Sequence, residues 1–199
     1  MNHHSVLTVL REIGLAVQQV VSTTLKESPL VERISIAHKS DSDVIYQIDV
    51  VAEEIIVQKI TAVAEGLGGI VLIAEGIGEK EKTMYPEGIA EEDAAIRIIM
   101  DPIDGTRGIM YDKRSAFFLA GAAPNKGEAT MLSDVEVAVM TELPTSRAAM
   151  GDELWAIRGQ GAFGQTLQFE TGDISTMTIA PSDSPTIRGG FAQLSRFFP

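Results

Sequence analysis

The chain has 199 residues, no cysteine and a formal net charge of −12, because 28 Asp and Glu residues outnumber 16 Lys and Arg residues. This acidic balance argues against nucleic acid as a partner, and the lack of cysteine excludes disulfides, thiolate catalysis and cysteine-ligated zinc. The sequence contains neither a signal-peptide core nor an apolar run that could span a membrane, so we expect a cytoplasmic protein without membrane attachment.

Two amphipathic helices are predicted near the start of the chain. Over residues 5–26, apolar side chains recur three and four positions apart. Ser28-Pro29 then ends the helix, because the residue before a proline avoids helical dihedral angles. A second helix is predicted over residues 50–64, with Asp49 as its N-cap.

Short apolar runs rich in β-branched residues predict buried strands after the helices. The first two cover residues 69–74 and 96–100, and the charged segment between them, residues 79–93, is interpreted as an exposed loop. Further strands are predicted at residues 116–123, 134–140, 154–158 and 176–179. Helices followed by many strands favour an α+β fold, with the helices packed side by side on one face of a mainly antiparallel sheet.

The segment that follows the second strand carries the most chemistry. Asp101 and Asp104 stand at a strand end, where two carboxylates can share hard divalent cations. Gly105 and Thr106 follow and offer backbone N–H groups to a phosphate. This combination favours metal-assisted phosphoryl transfer. The alternative is an ordinary solvated turn, since Asp-Pro and Asp-Gly are common turn dipeptides.

Four features occur in order along the chain: Lys39-Ser40, Asp49, Glu75 and the segment from Asp101 to Thr106. This order resembles the inositol monophosphatase and fructose-1,6-bisphosphatase superfamily, which consists of Mg²⁺-dependent, lithium-sensitive phosphomonoesterases. The likeness extends over roughly residues 39–182 and includes a Gly-x-Gly-Ala turn at residues 159–162. It implies that metal-activated water hydrolyses a small phosphorylated polyol or sugar, similar to inositol monophosphate.

The resemblance also implies roles for individual residues. The ligands of two or three Mg²⁺ ions would be Glu75, Asp101, Asp104 and the backbone carbonyl of Ile103. Mn²⁺ would be an alternative ion and Li⁺ an inhibitor. Gly105 and Thr106 would bind the phosphate beside Asp104, while Thr106 and Glu75 orient the attacking water and Asp49 acts from the outer shell. The partner would be a small phosphate ester, with a homodimer as one option for assembly.

Two departures from the family pattern concern the metal ligands. Glu75 is followed by Gly76, where most members have a second glutamate. A Glu-Gly-x-Gly-Glu run is similar to the bacterial class II fructose-1,6-bisphosphatase branch, so fructose-1,6-bisphosphatase activity is an alternative. In another alignment Glu79 would be the ligand, but Glu75 directly follows a strand and has the better fixed position.

The second departure lies farther along the chain. Trp155 is followed by Ala156, so the Trp-Asp motif that carries the family's remaining metal ligand is missing. We therefore interpret residues 1–182 as a metal- and phosphate-binding domain and residues 183–199 as the start of a second domain that is largely missing. On this interpretation the chain alone is a poor catalyst.

Two other functional classes stay open. Haloacid dehalogenase phosphatases use Asp-x-Asp-Gly-Thr with an aspartyl nucleophile, but here Pro102 and Ile103 separate the two acids, so that motif fails by one position. The other class is a catalytically incomplete fragment that binds metal and phosphate only.

Overall fold

The computed structural model describes residues 1–39, 44–78, 82–180 and 182–190, with the backbone alone for residues 36–39 and 44–45. Within these ranges the α-helices are α1 (His3–Glu27), α2 (Leu30–Arg33), α3 (Gln47–Val63) and α4 (Thr106–Met110). The strands are β1 (Ile36–Lys39), β2 (Val44–Tyr46), β3 (Ile70–Ala74), β4 (Lys82–Tyr85), β5 (Ile96–Asp104), β6 (Ala116–Pro124), β7 (Val137–Leu143), β8 (Met150–Ile157), β9 (Gly161–Gln168) and β10 (Ile174–Met177). None of these helices is long and apolar enough to cross a bilayer.

Eight of the strands form one sheet in the order β10-β9-β8-β7-β6-β5-β3-β4, while β1 and β2 form a separate antiparallel pair. Neighbours in the large sheet run antiparallel except β3 and β5, which are parallel. The predicted α+β fold with a mainly antiparallel sheet is therefore confirmed.

Helices α1 and α3 pack against each other, and α1 also contacts β6, β7 and β8 on one face of the sheet. The buried residues of α1 recur at helical spacing and include Val6, Leu10, Ile13, Val17 and Val21. Fully burying an aliphatic side chain of this kind contributes about 1.5–3 kcal/mol. The predicted side-by-side helix pair is thus confirmed, and its apolar stripe forms the core with the sheet.

The other face of the sheet carries an open apolar groove. Side chains alternate between the two faces of a strand, and Ile73, Ile99, Leu119 and Leu154 line this groove together with several alanines. Glu75 and Asp101 line it at the ends of β3 and β5. The groove therefore reaches the sheet edge where the sequence places the candidate ligands.

The interpretation of residues 79–93 as an exposed loop is wrong for its described part. Lys82 to Tyr85 form β4, which pairs with β3 at the edge of the sheet. Lys82 and Arg97 both form ion pairs with Glu91, whose short 3₁₀ turn spans Glu91–Asp93. Charged side chains are common on edge strands because they discourage pairing with other chains. That charge concealed the strand in the sequence.

Several strand boundaries also differ from the prediction. β7 begins and ends three residues later than predicted, because residues 132–134 form a 3₁₀ turn instead. In that turn the Asp134 carboxylate accepts hydrogen bonds from the Met131 N–H and the Lys126 ammonium. β10 begins two residues earlier than the predicted strand at residues 176–179, and β9 was not predicted as a strand.

Candidate functional site

The ends of β3 and β5 bring Glu75 and Asp101 together. The two strands are parallel neighbours, with Ala74 opposite Met100 in their register. Each acid comes directly after this last aligned pair, so both lie at the same edge of the sheet. The predicted convergence of these two positions is confirmed.

Strand β5 contains a β-bulge directly after Asp101. Asp101 pairs with Leu119 of β6 and Asp104 with Phe117, so β5 has one residue more than β6 between these pairs. Such bulges bend a strand and redirect its side chains, and Pro102, which cannot donate a ladder hydrogen bond, suits this place. Asp101 is partly buried whereas Asp104 is exposed. The bulge thus gives different surroundings to Asp101 and Asp104, which the sequence analysis predicts to bind metal together.

Gly105 connects β5 to the short helix α4. Its φ of 103° lies in the left-handed region, which glycine adopts without steric cost. The chain can therefore turn sharply here and place Thr106 at the first position of α4. The Thr106 hydroxyl lies 2.9 Å from the Ile103 carbonyl oxygen and 3.1 Å from Asp49 Oδ1. Because a hydroxyl carries one proton, it donates to one of these oxygens at a time.

Asp49 reaches this hydroxyl from α3. The prediction that Asp49 is the N-cap of a helix beginning at residue 50 is wrong, because α3 begins at Gln47 with Tyr46 as its N-cap. Asp49 instead occupies the third helical position, and its Oδ2 accepts the Tyr46 N–H at 2.8 Å. Acidic residues favour this place because it satisfies an orphan N–H group and complements the helix dipole. Because Oδ2 of Asp49 accepts this capping hydrogen bond, its Oδ1 faces the Thr106 hydroxyl.

Four carboxylates line one small cavity at this edge of the sheet. Its lining consists of Asp49, Glu53, Glu75, Gly76, Asp101, Pro102, Ile103 and Thr106. The cavity volume of about 30 Å³ suits an ion or a water molecule rather than a whole substrate, since one water needs roughly 10–15 Å³. Of the described residues that line it, none is basic.

Glu53 is the member of this group that sequence reasoning missed. It follows Asp49 by four positions in α3, so the two side chains project from the same helix face. Burial, followed by the negative charges of Asp49 and Glu54, raises the pKa of the Glu53 carboxyl to about 7. The i, i+4 spacing of two acids was the available signal, but it also describes many solvated helix faces.

The other predicted site residues either do not line this cavity or are not fully described by the structure. Asp104 and Gly105 are not among the residues that line the cavity. Lys39 is described by its backbone alone, while Ser40 and Glu79 lie outside the described residues. Residues 191–199, most of the predicted second-domain start, lie outside them as well.

The cavity fits a hard divalent cation in its chemistry, because carboxylates and backbone carbonyls are the oxygen ligands that Mg²⁺ and Mn²⁺ prefer. In the part of the chain that the structure describes, no group of three or more His, Cys, Asp or Glu side chains is placed so that it could hold a metal ion. Closing a coordination shell would therefore need side-chain rotation or further ligands.

Comparison with known families gives one match: the sequence profile of the inositol monophosphatase family matches residues 2–183. A search of curated protein sequences finds no significant match.

Solved structures share the fold. Fructose-1,6-bisphosphatase of Leishmania major in holo form matches with a TM-score of 0.62 and 16% identity, over 85% of this chain and 53% of that chain. The extragenic suppressor protein suhB of Bartonella henselae matches with 0.57 and 21%, over 80% and 52%. Inositol monophosphatase from Anabaena matches with 0.53 and 17%, over 82% and 48%. This chain thus spans about half the length of these structures.

Proposed function

Because this chain belongs to the inositol monophosphatase family, we propose that it serves the metal-dependent hydrolysis of a small phosphate monoester, with a phosphorylated polyol such as inositol monophosphate as the substrate. The observation that supports this most is the shared cavity, where strand-end acids meet a hydroxyl that is paired with a carboxylate. Metal-dependent hydrolysis of a phosphomonoester needs a cation near the phosphate and a positioned water. The groups proposed to hold both line or adjoin this cavity.

The proposed Mg²⁺ or Mn²⁺ ligands are the carboxylates of Glu75, Asp101 and Asp104 and the carbonyl oxygen of Ile103. We prefer Glu75 to Glu79 because Glu75 directly follows β3 and lines the cavity. A cation bound there would neutralise phosphate charge and lower the pKa of a bound water. Asp104 would approach from the exposed side of the bulge, where it also faces incoming substrate.

The chain's own groups would position the water and the phosphate. The Thr106 hydroxyl, held beside Asp49, accepts a hydrogen bond from the attacking water while its own proton points to the Asp49 carboxylate. Glu75 orients the same water from the other strand end. Backbone N–H groups of Gly105 and Thr106 are proposed to bind phosphate oxygens at the sharp turn into α4. No covalent enzyme intermediate is required.

The fructose-1,6-bisphosphatase alternative is favoured by Gly76. The Glu-Gly sequence departs from the usual pair of glutamates, and the positive φ of Gly76, 77°, indicates a turn that glycine favours. The substrate panel in the experiment below therefore includes fructose 1,6-bisphosphate.

The incomplete-fragment alternative is favoured by the open arrangement of the acids. Since no three of the described carboxylates are placed to hold a metal, the chain alone would bind a metal ion weakly and hydrolyse esters slowly. Mg²⁺ binding without phosphate release from any ester would support this alternative.

The proposed function is tested by Thr106→Ala, with Thr106→Ser as the control that keeps the hydroxyl. We expect the alanine variant to lose about 10²–10⁴-fold in turnover, the usual contribution of a positioned proton-transfer group. Mg²⁺ affinity should stay unchanged, because the hydroxyl is not proposed to bind metal. Phosphate release from inositol monophosphate and from fructose 1,6-bisphosphate measures turnover, and calorimetric titration measures affinity. Equal turnover of the alanine variant and the wild type would remove Thr106 from the mechanism.

A further inference from the structure

The residue two positions beyond helix α4, Asp112, has an unusual backbone conformation. Its φ is 54°, and among the residues that the structure describes it is the one non-glycine residue with a positive φ. Aspartate tolerates this region better than most residues do, yet glycine adopts it without steric cost. Other residues keep such a conformation where their surroundings hold them, often near functional sites. The Asp112 side chain is therefore expected to make contacts that glycine could not.

Both oxygens of the Asp112 carboxylate bind one residue, Ser146, in the connection between β7 and β8. Oδ1 accepts the Ser146 N–H at 2.7 Å, and Oδ2 accepts the Ser146 hydroxyl proton at 2.6 Å. The Arg147 guanidinium donates to the Asp112 carbonyl oxygen at 3.1 Å. Burial alone would raise the pKa of the Asp112 carboxyl, but the hydrogen bonds from Ser146 and the nearby arginine charges lower it below its usual value. At neutral pH the carboxylate is therefore charged and held at both oxygens.

This pair, the Asp112–Ser146 clamp, is joined directly to the backbone of α4. The Asp112 N–H donates to the Ile109 carbonyl oxygen at 2.7 Å, and the Lys113 N–H donates to the Gly108 carbonyl oxygen at 3.0 Å. α4 has five residues, and a helix this short has little stability of its own. Its orientation consequently depends on what holds its two ends.

The first residue of α4 is Thr106, whose hydroxyl is proposed to position the attacking water. Asp112 follows it by a distance of roughly 9 Å along a helix axis. Ile109 and Met110 are buried and attach α4 to the core, but apolar contacts are not directional, whereas hydrogen bonds are. The hydrogen bonds at the end of the helix therefore help to set the direction in which Thr106 meets Asp49.

We infer that Asp112, together with Ser146, is a positioning residue for the proposed reaction, because the clamp fixes the end of α4 and thereby the direction of the Thr106 hydroxyl. This inference rests on the proposed function, since it concerns the same hydroxyl. Neither Asp112 nor Ser146 lines the cavity of the candidate site, so both act through the helix. The role also explains why position 112 holds aspartate in a conformation that suits glycine.

The main test is Asp112→Gly, which suits the left-handed backbone but removes both hydrogen bonds to Ser146. We expect kcat for phosphate release from inositol monophosphate or fructose 1,6-bisphosphate to fall by about tenfold, because the Thr106 hydroxyl is present but misdirected. KM should stay within about twofold, as for a change that acts on the transition state alone. Ser146→Ala removes only the hydroxyl hydrogen bond and should show a smaller loss of kcat.

Asp112→Asn is the conservative variant. Its amide oxygen can accept the Ser146 N–H while its amide nitrogen donates to the Ser146 hydroxyl oxygen, so both hydrogen bonds can form without the charge. Asparagine also tolerates the left-handed region. We therefore expect this variant to keep a kcat close to that of the wild type.

Asp134→Ala is the matched control for lost stability. Asp134 also accepts two hydrogen bonds, from the Met131 N–H and the Lys126 ammonium, and it precedes β7 whereas Ser146 follows that strand. Loss of these hydrogen bonds should lower the melting temperature but leave kcat unchanged, because this turn lies at the opposite end of β7.

Hydrogen exchange provides a readout besides turnover. The N–H groups of Gly108 and Ile109 donate to the Gly105 carbonyl oxygen within α4. In Asp112→Gly these amides should exchange about tenfold faster than in the wild type, because the helix end opens more often. In Asp112→Asn and Asp134→Ala they should exchange at the wild-type rate.

An unchanged kcat in Asp112→Gly would overturn the inference and leave the proposed function intact. The same holds if kcat falls while exchange in α4 stays at the wild-type rate, or if Asp112→Asn is as slow as Asp112→Gly. A wild-type chain that releases phosphate from neither ester would overturn the proposed function and the positioning role with it. The two failures are therefore distinguishable.

Discussion

At residue 49, one carboxylate serves two neighbours. Oδ2 of Asp49 accepts the N–H of Tyr46 and so caps α3, while Oδ1 lies 3.1 Å from the Thr106 hydroxyl. The cap fixes the rotamer, and the fixed rotamer aims the second oxygen at Thr106. A structural interaction at a helix start thereby orients a group of the candidate site.

This double role predicts a separable effect of Asp49→Asn. The amide oxygen of asparagine can still accept the Tyr46 N–H, so the free energy of unfolding should fall by less than about 1 kcal/mol, the usual size of a cap interaction. The amide cannot take a proton from Thr106, so turnover should fall by about 10²–10⁴-fold. Urea unfolding and phosphate-release assays measure the two quantities. Unchanged turnover in a folded Asp49→Asn protein would contradict the proton-accepting role.

Sequence reasoning reached some of these residues and missed others for a physical reason. Glu75, Asp101 and Thr106 follow apolar strands or a glycine turn, which are local signals that a sequence displays. The place of Glu53 in the cavity brings its carboxylate beside Gly76, which lies far from it in the sequence and comes near only through the fold. Contacts of this kind leave no local pattern to read.

At the scale of elements, the parallel pair β3 and β5 places the site. Both strands were predicted from apolar runs, and their adjacency followed from the need for their acids to meet. The edge strand β4 was missed because it has only four residues, begins with the charged Lys82 and shows no alternating apolar pattern that would predict its pairing with β3. The bulge in β5 could not be foreseen, because it appears only against the register of β6.

The packing of α1 on β7 predicts that Gly14→Ala destabilises the protein. A Cβ at residue 14 would lie 2.3 Å from the Thr141 Oγ1 atom and 3.0 Å from a ring carbon of Phe118. Alanine gains about 1 kcal/mol in helix propensity, but overpacking a tight core typically costs about 1–3 kcal/mol. We expect the clash to dominate and the free energy of unfolding to fall by about 1–2 kcal/mol, since both neighbours are fully buried.

The matched control for this prediction is Gly66→Ala in the exposed turn after α3. A Cβ there would meet only the Val63 carbonyl oxygen, at an ordinary 3.6 Å. This substitution should be neutral or stabilise by up to about 1 kcal/mol, because alanine restricts the unfolded chain. Urea unfolding of both variants gives the comparison, and an unaffected Gly14→Ala protein would show that α1 sits farther from the sheet than described.

At the scale of the whole molecule, the two faces of the sheet differ in their covering. α1 and α3 lie on one face, while the groove of Ile73, Ile99, Leu119 and Leu154 is open on the other. Ile99 is 42% exposed although it belongs to a central strand. An apolar surface of this kind usually marks a place where another surface packs. The acids at the strand ends border it, so whatever covers the groove also approaches the candidate site.

The difference between the faces predicts opposite outcomes for two leucines on neighbouring strands. Leu143 of β7 is fully buried on the helix side, whereas Leu154 of β8 lines the open groove. Leu143→Lys should abolish folding, because an unpaired charge in the core costs several kcal/mol against a total stability of about 5–15 kcal/mol. Leu154→Lys should lower the free energy of unfolding by only about 1–2 kcal/mol, because Leu154 is partly exposed and a lysine there can extend its ammonium group into water, and it should reduce binding of a hydrophobic dye to the native protein. Circular dichroism, urea unfolding and dye fluorescence measure these effects. If Leu154→Lys unfolds the chain as Leu143→Lys does, the groove is covered in solution and the asymmetry of the two faces is refuted.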